Sequence, residues 1–450
     1  MWHDEAATCV NILNQSFAGL FGHLEHSATG PPLLLCLQKC IVFLLGDGTR
    51  SLRLVSFLAS CAALLLLAKL AGMLFDPPAA LCAVLLAACS DKLLWHASEA
   101  RHYSSDFLIA VVLLLLFVKT AAGPVTRRLA LFSVCAPFAV LLSYPGIFLC
   151  LGLLLALLPE VRKDGRISAW AAWALLGALI AVSFAFFYFV TIKAQRSPDM
   201  DAAWQNDFPD LHKWWKLPWW AVRSTVAIFD YYARPYAGGL LIVPAIAGAI
   251  IFWRQKKRAL LALILAPVIL AMLAALAKSY PYTGARTMVY CLPGLTLLVA
   301  AGIAPLLGWL QRRLPPLPAT ILALVLLFPF AETFVFSLYT AVVPWKRANT
   351  AGASAYVLAH RLPGDVVTAN HWEYEYYFRN LGPAFRQDIQ AVTQPADPGA
   401  PRRLWMVLDS GKPEDRLQIA NSIISRGWHV DDERQFQNAS VFLLTRTGQE

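Results

Sequence analysis

Long apolar runs constrain this chain more than any other feature. Leu108–Val118, Ala169–Val190, Ala259–Ala277 and Ile321–Phe330 carry almost no polar side chain. A helix needs about 20 largely apolar residues to cross roughly 30 Å of bilayer core. Several of these runs reach that length with their flanks. Apolar residues make up 58% of the chain and charged residues 15%, against roughly 45–50% and about 25% in a soluble globular domain. The expected fold is therefore a polytopic α-helical membrane protein.

Ten spans are expected, over 52–74, 77–95, 103–119, 128–143, 145–159, 168–191, 238–254, 258–277, 287–309 and 317–341. Basic loops orient them. Lys119 with Arg127 and Arg128, Arg162 with Lys163 and Arg166, Arg254-Gln-Lys-Lys-Arg258 and Gln311-Arg-Arg313 all fall on one side. Lys and Arg collect on the cytoplasmic side of membrane proteins, so residues 1–51, 96–102, 192–237, 278–286 and the C-terminal region are expected outside. The run Leu33–Leu45 is too short to span easily and reads as a re-entrant or interface-lying helix. The net charge of +10 follows from the same loops and gives no reason to invoke nucleic acid. Most of the nine cysteines lie in apolar segments without metal-site spacing, as small core residues do. The Trp204, Trp214, Trp215, Trp219 and Trp220 cluster suits a belt at the lipid headgroups.

From about Trp345 the composition becomes that of a soluble domain. Helix-like 350–362, strand-like 365–369, a helix over 371–381, a strand over 403–408, a helix over 414–426 and a strand pair over 430–436 and 440–445 suggest a small α/β layer structure. It has no Gly-rich phosphate loop. Three regions result: an outer segment 1–51, a helical membrane region 52–343 and a soluble α/β domain 344–450.

Ionisable residues at a membrane edge are costly, so clusters of them mark candidate function. Three outer segments carry such clusters: Trp2-His-Asp-Glu-Ala6, Trp95-His-Ala-Ser-Glu-Ala-Arg-His-Tyr-Ser-Ser-Asp106 and Lys278-Ser-Tyr-Pro-Tyr-Thr-Gly-Ala-Arg286. They supply carboxylates at Asp4, Glu5, Glu99 and Asp106, and cations at Arg101, Lys278 and Arg286. This mixture suits attack of a hydroxyl on a sugar whose leaving group is a lipid phosphate. Matched cations make the phosphate a good leaving group, and one carboxylate takes the acceptor proton. A single displacement inverts the anomeric centre. His3, His96 and His102 lack metal-site spacing with carboxylates, so no metal is expected.

Trp-x-Asp-Glu-Ala, Gly30-Pro-Pro-Leu33, Leu52-Arg-Leu54 opening a span and Glu99-Ala-Arg-x-Tyr103 follow one another in an order that resembles the C superfamily of membrane glycosyltransferases. The likeness is to its bacterial branch of galacturonosyltransferase-like proteins, lipid A aminoarabinose transferases and protein O-mannosyltransferases. It covers residues 1–345 in architecture, with its sharp motifs in 1–106. The resemblance implies that Asp4 is the catalytic carboxylate and that Glu5 accompanies it. Arg101 and Tyr103 would lie near the donor phosphate, supported by Glu99 or Asp106. Lys278, Tyr282 and Arg286 match the family loosely and are argued mainly from charge.

It further implies a polyprenyl-phosphate sugar donor, no cofactor, a hydroxyl acceptor in the envelope (glycan, lipid A or protein), a monomer among membrane lipids, and a bacterial inner-membrane location with the C-terminal domain in the periplasm. Gly30 stands where the family commonly has His, and His102 where it commonly has Pro. The family has a spanning helix ahead of Asp-Glu, so this sequence is expected to begin downstream of the true start. The competing classes are a transporter or flippase of a lipid-linked anion and a non-catalytic membrane scaffold.

Overall fold

The computed structural model describes residues 1–343, 348–393, 401–409 and 412–446. They separate into two compact units, residues 16–343 and residues 1–15 with 344–450. The boundary expected at Trp345 lies outside the described residues.

Helix α1 (His3–Asn14) belongs to the smaller unit. The larger unit runs through α2 (Pro32–Leu45), α3 (Thr49–Leu74), α4 (Pro77–Ala88), α5 (Asp91–Ala97), α6 (Tyr103–Lys119), α7 (Val125–Leu142), α8 (Gly146–Asp164) and α9 (Ile167–Phe187). After the short α10 (Lys193–Gln195) and α11 (Pro198–Trp204) come α12 (Leu217–Tyr232), α13 (Ile242–Arg254), α14 (Arg258–Leu276), α15 (Leu292–Arg313) and α16 (Pro316–Val342). Local chemistry sets several of the ends. Proline opens α2, α4 and α16, where its missing N–H costs no hydrogen bond. Gly165, at φ +70°, closes α8 in the left-handed region, which glycine enters without a Cβ penalty.

Among the described residues, six helices are long and apolar enough to cross a membrane, and a seventh if α4 and α5, bent by 58°, count as one broken span. Ten spans were expected. The expected segments 103–119, 145–159 and 238–254 are helical but fall short of that standard for identifiable reasons. Helix α6 has 17 residues and α13 has 13, and α8 ends in Glu160, Arg162, Lys163 and Asp164. Arg128, expected in a basic loop, lies inside α7, buried against Phe117 and paired with Glu160 of α8. Residues 32–45 form one 14-residue apolar helix, as the length of the run demands.

Helix α15 is the interior of this unit: 72% of its most apolar window is buried, against 22% for the spans that include α9 and α16. Close approach explains part of this. A Cβ at Gly248 of α13 would fall 1.9 Å from the Leu298 carbonyl oxygen, and one at Gly302 of α15 would fall 1.9 Å from that of Pro244. Small residues at such crossings let two backbones pack in contact, the main attraction between helices in lipid.

In the smaller unit, α17 (Thr350–His360), β1 (Val366–Ala369), α18 (Glu373–Phe378), α19 (Ile389–Thr393), β2 (Arg403–Asp409), α20 (Pro413–Ile424), β3 (Trp428–Phe436) and β4 (Ala439–Arg446) build a four-stranded sheet of order β1-β2-β4-β3. β1 and β2 are parallel, and β4 is antiparallel to β2 and β3. Side chains alternate along a strand, so each face of the sheet has its own core. Ala353, Val357, Val367, Tyr374, Phe378, Trp405 and Val407 pack on one face, while Leu404, Met406, Leu408, Ala420, Ile423 and Trp428 pack on the other. This is the α/β layer structure expected from the element pattern.

Candidate active site

In the membrane unit, the site is built on the turn between α5 and α6. Ser104 donates to the His96 carbonyl at 2.8 Å and Ser56 of α3 donates to the Arg101 carbonyl at 2.9 Å, which pins the turn at both ends. Tyr103, the first residue of α6, sits at the centre. The Arg101 guanidinium lies 5.7 Å from its ring centroid and donates to its hydroxyl at 3.3 Å. The Arg286 guanidinium lies 5.7 Å from the same ring. Two cations from distant parts of the sequence thus share one aromatic ring, a contact that is favourable for each.

Glu99 lines the same turn and is 2% exposed. His96 Nδ1 donates to it at 2.6 Å and the Trp95 indole N–H at 2.9 Å, and His96 Nε2 meets the Tyr231 hydroxyl at 2.8 Å. Burial works against its charge. The hydrogen bond and charge of His96, then Arg101 and the Trp95 indole, outweigh burial and hold the carboxyl down to about 2 from its ordinary 4.5. Glu99 is therefore an anion in permanent use, poorly suited to take a proton. His102 is held well below its ordinary value by burial and then by the charges of Arg101 and Arg286, so its ring is neutral. Its ring centroid lies 4.3 Å from that of Tyr103, with the planes tilted by 45°, and its Nε2 lies 3.8 Å from the buried Asp106.

The Gly30-Pro-Pro segment is tied to this region through Gln195. Gln195 Oε1 accepts from the Gly30 N–H at 3.0 Å and also from the Tyr144 hydroxyl, and the Tyr144 ring meets His102 edge-on at 5.6 Å. A Cβ on Gly30 would lie 2.9 Å from the buried Leu35 side chain.

The structure therefore brings Arg101, Tyr103, Arg286 and Glu99 together, with Asp106 behind His102. Lys278 is exposed at φ +52°, and no contact found among the described residues joins it to that group. Tyr282 is buried, 2.7 Å from Thr225 and 5.8 Å from the Trp220 ring. Asp4 and Glu5 lie in the first turn of α1, in the smaller unit. Tyr144 and Tyr231 were not among the residues expected at the site, and His96 was weighed there only as a metal ligand. The one signal available was the spacing of His96 and Glu99 across a single helical turn.

Three comparisons bear on what this arrangement is. A family model described as dolichyl-phosphate-mannose-protein mannosyltransferase matches residues 29–188, a stretch that holds the Pro-Pro-Leu, Leu-Arg-Leu and Glu-Ala-Arg-x-Tyr motifs. The fold is similar to that of ArnT from Cupriavidus metallidurans in the apo state, with a TM-score of 0.58 at 13% identity, covering 98% of this chain and 92% of that one. It is similar to ArnT from Cupriavidus metallidurans bound to undecaprenyl phosphate, with a TM-score of 0.57 at 13% identity and the same coverage. A search of curated proteins by sequence finds no match. The chain thus shares the ArnT fold along nearly its whole length and matches the mannosyltransferase family model over residues 29–188, both in line with the resemblance seen in its motifs.

Proposed function

We propose that the chain is an inverting glycosyltransferase that moves a sugar from a polyprenyl-phosphate donor to a hydroxyl acceptor at the outer face of the bacterial inner membrane. The observation that carries this reading is the pair of guanidiniums, Arg101 and Arg286, each 5.7 Å from the Tyr103 ring. Paired guanidiniums bind phosphate oxygens through several donors at once. A solved protein of the same fold is bound to undecaprenyl phosphate, which supports a lipid phosphate as their ligand.

The acceptor oxygen forms a bond to the anomeric carbon as the bond from that carbon to the phosphate oxygen breaks. The electron pair leaves with the lipid phosphate, and Arg101 and Arg286 stabilise the charge that gathers there. The hydroxyl proton goes to Asp4, with Glu5 beside it; Glu99, already committed to His96 and Trp95, holds the Arg101 turn. No nucleotide or metal enters this scheme. The acceptor is a hydroxyl of the envelope, on a glycan, lipid A or a protein. The protein works as a monomer with its C-terminal domain in the periplasm.

The test is a transfer assay with radiolabelled polyprenyl-phosphate sugars and envelope acceptors in proteoliposomes. Transfer by the native chain is expected, with loss of roughly 10³-fold or more in Asp4→Asn, in line with removal of a general base and its charge. Full activity in Asp4→Asn removes that residue from the mechanism.

A further inference from the structure

Helix α1 carries the candidate base and is held by the C-terminal domain. The contacts that hold it start from one buried acid. Glu373 opens α18 and is 4% exposed, and a buried carboxylate persists only with partners. His3 is one of them: its Nδ1 lies 2.8 Å from Glu373 Oε2. The His3 ring lies 4.2 Å from the Trp372 ring and 4.7 Å from that of His371. The Trp372 indole N–H donates to the His3 carbonyl at 3.3 Å, and Thr350 donates to the Met1 carbonyl at 3.3 Å. At the far end of α1, Asn14 donates to Glu375 at 3.4 Å. Between these ends Glu5, Ala6, Ala7, Thr8, Cys9 and Val10 are buried.

The second partner is Asp409, at the carboxyl end of β2 and 3% exposed. Carboxyl ends of parallel strands are where open α/β sheets present functional groups. Its Oδ1 lies 3.6 Å from His371 Nε2. Burial, and then the hydrogen bond and charge of Glu373, push Asp409 up to about 9. For Glu373, burial is outweighed by its hydrogen bonds to His3 and Asp409 and by the charges of His3 and His371, which leave it below its ordinary value. The two acids are thus pushed apart, Asp409 towards its protonated form and Glu373 towards the charged form that His3 faces.

We propose that Glu373 is a positioning residue for transfer: through His3 it clamps the first turn of α1 to the C-terminal domain and so fixes where Asp4 stands. This gives that domain a role in the reaction without any contact to substrate. It rests on the reading of Asp4 as the base, and its test separates the two.

Cys9, buried in α1 with 0% exposure, reports the clamp without any substrate. In full-length protein with Cys36, Cys40, Cys61, Cys82, Cys89 and Cys135, the exposed and half-exposed cysteines, replaced by Ser, maleimide labelling of Cys9 is measured beside the transfer kinetics. Glu373→Ala is expected to speed labelling on the order of tenfold or more, the loss attached to a hydrogen bond to a charged group. It should lower kcat by a similar factor and leave KM for the lipid donor within about twofold. Glu373→Gln, which keeps an acceptor oxygen for His3, is expected to restore most of both. His3→Ala, at a half-buried position that cannot unfold the sheet, should behave like Glu373→Ala. Labelling and kcat unchanged in His3→Ala, or in a folded Glu373→Ala, overturn the proposal, as does a fall in kcat without faster labelling. Faster labelling in a protein whose native form transfers no sugar supports the clamp and removes the transferase reading instead.

Discussion

Glu99 accepts a 2.6 Å hydrogen bond from His96 within one turn of the chain, and this contact organises the loop that carries Arg101. The folded carboxyl, held to about 2, lies below its ordinary 4.5. The stability it contributes is therefore present above pH 4.5 and is lost as pH falls through about 2. Glu99→Gln is expected to lower the thermal midpoint at pH 7 and to flatten the acid limb of the midpoint-versus-pH curve below pH 4.5. Breaking a buried charge pair costs about 3–5 kcal/mol. An unchanged acid limb would show that Glu99 is not held as an anion.

Tyr103 holds two cations through its ring and one through its hydroxyl, and substitution separates these roles. Tyr103→Phe removes only the 3.3 Å hydrogen bond from Arg101, a change worth about 0.5–1.5 kcal/mol, so transfer should fall less than tenfold. Tyr103→Ala removes the surface both guanidiniums rest on and should fall well beyond that. Equal losses in steady-state kinetics would contradict a positioning role for the ring.

Gly248 and Gly302 are expected to tolerate no side chain. A Cβ at either would meet a backbone carbonyl oxygen at 1.9 Å, which no rotamer change relieves. Overpacking costs about 1–3 kcal/mol and occasionally more, so Gly302→Ala should lower the thermal midpoint of the solubilised protein. Gly72→Ala, at a position with no atom within 4 Å of the added carbon, should leave it unchanged or raised.

The Asp409 carboxyl, raised from 3.8 to about 9, gives a pH dependence of opposite sign to Glu99. Its folded form binds the proton more tightly, so the stability it contributes is fully present below pH 3.8 and is lost as pH rises through about 9. Between pH 7 and 9 the C-terminal domain should become less protected in hydrogen exchange, and Asp409→Asn should remove that slope. A slope that survives the substitution assigns it to another group.

Hydropathy and loop charge made the membrane class, most helices and the C-terminal sheet legible, because burial in lipid and strand alternation both leave a periodic record in the residues. Charge at a membrane edge marked Arg101 and the loop 278–286 as one cluster with Asp4, and of these the structure brings Arg101 and Arg286 to the Tyr103 ring. Span number was less legible: a run such as 103–119 reads as apolar whether or not its helix is long enough. The place of α1 was not legible at all. Its docking depends on His3 meeting Glu373, 370 positions away, and a single long-range pair of polar side chains leaves no periodicity. Nor could residue type separate Arg286, at the Tyr103 ring, from Lys278, exposed eight positions earlier.

The most direct test is the transfer rate of the Arg101→Ala/Arg286→Ala double variant, measured against the native chain with a polyprenyl-phosphate sugar in proteoliposomes. Each guanidinium is expected to be worth about 10²–10³-fold, the loss typical of one oriented donor at a developing charge, and the double loss should be less than the product of the singles because both serve one phosphate. A double variant that transfers sugar at the native rate would contradict a lipid phosphate held between these two side chains.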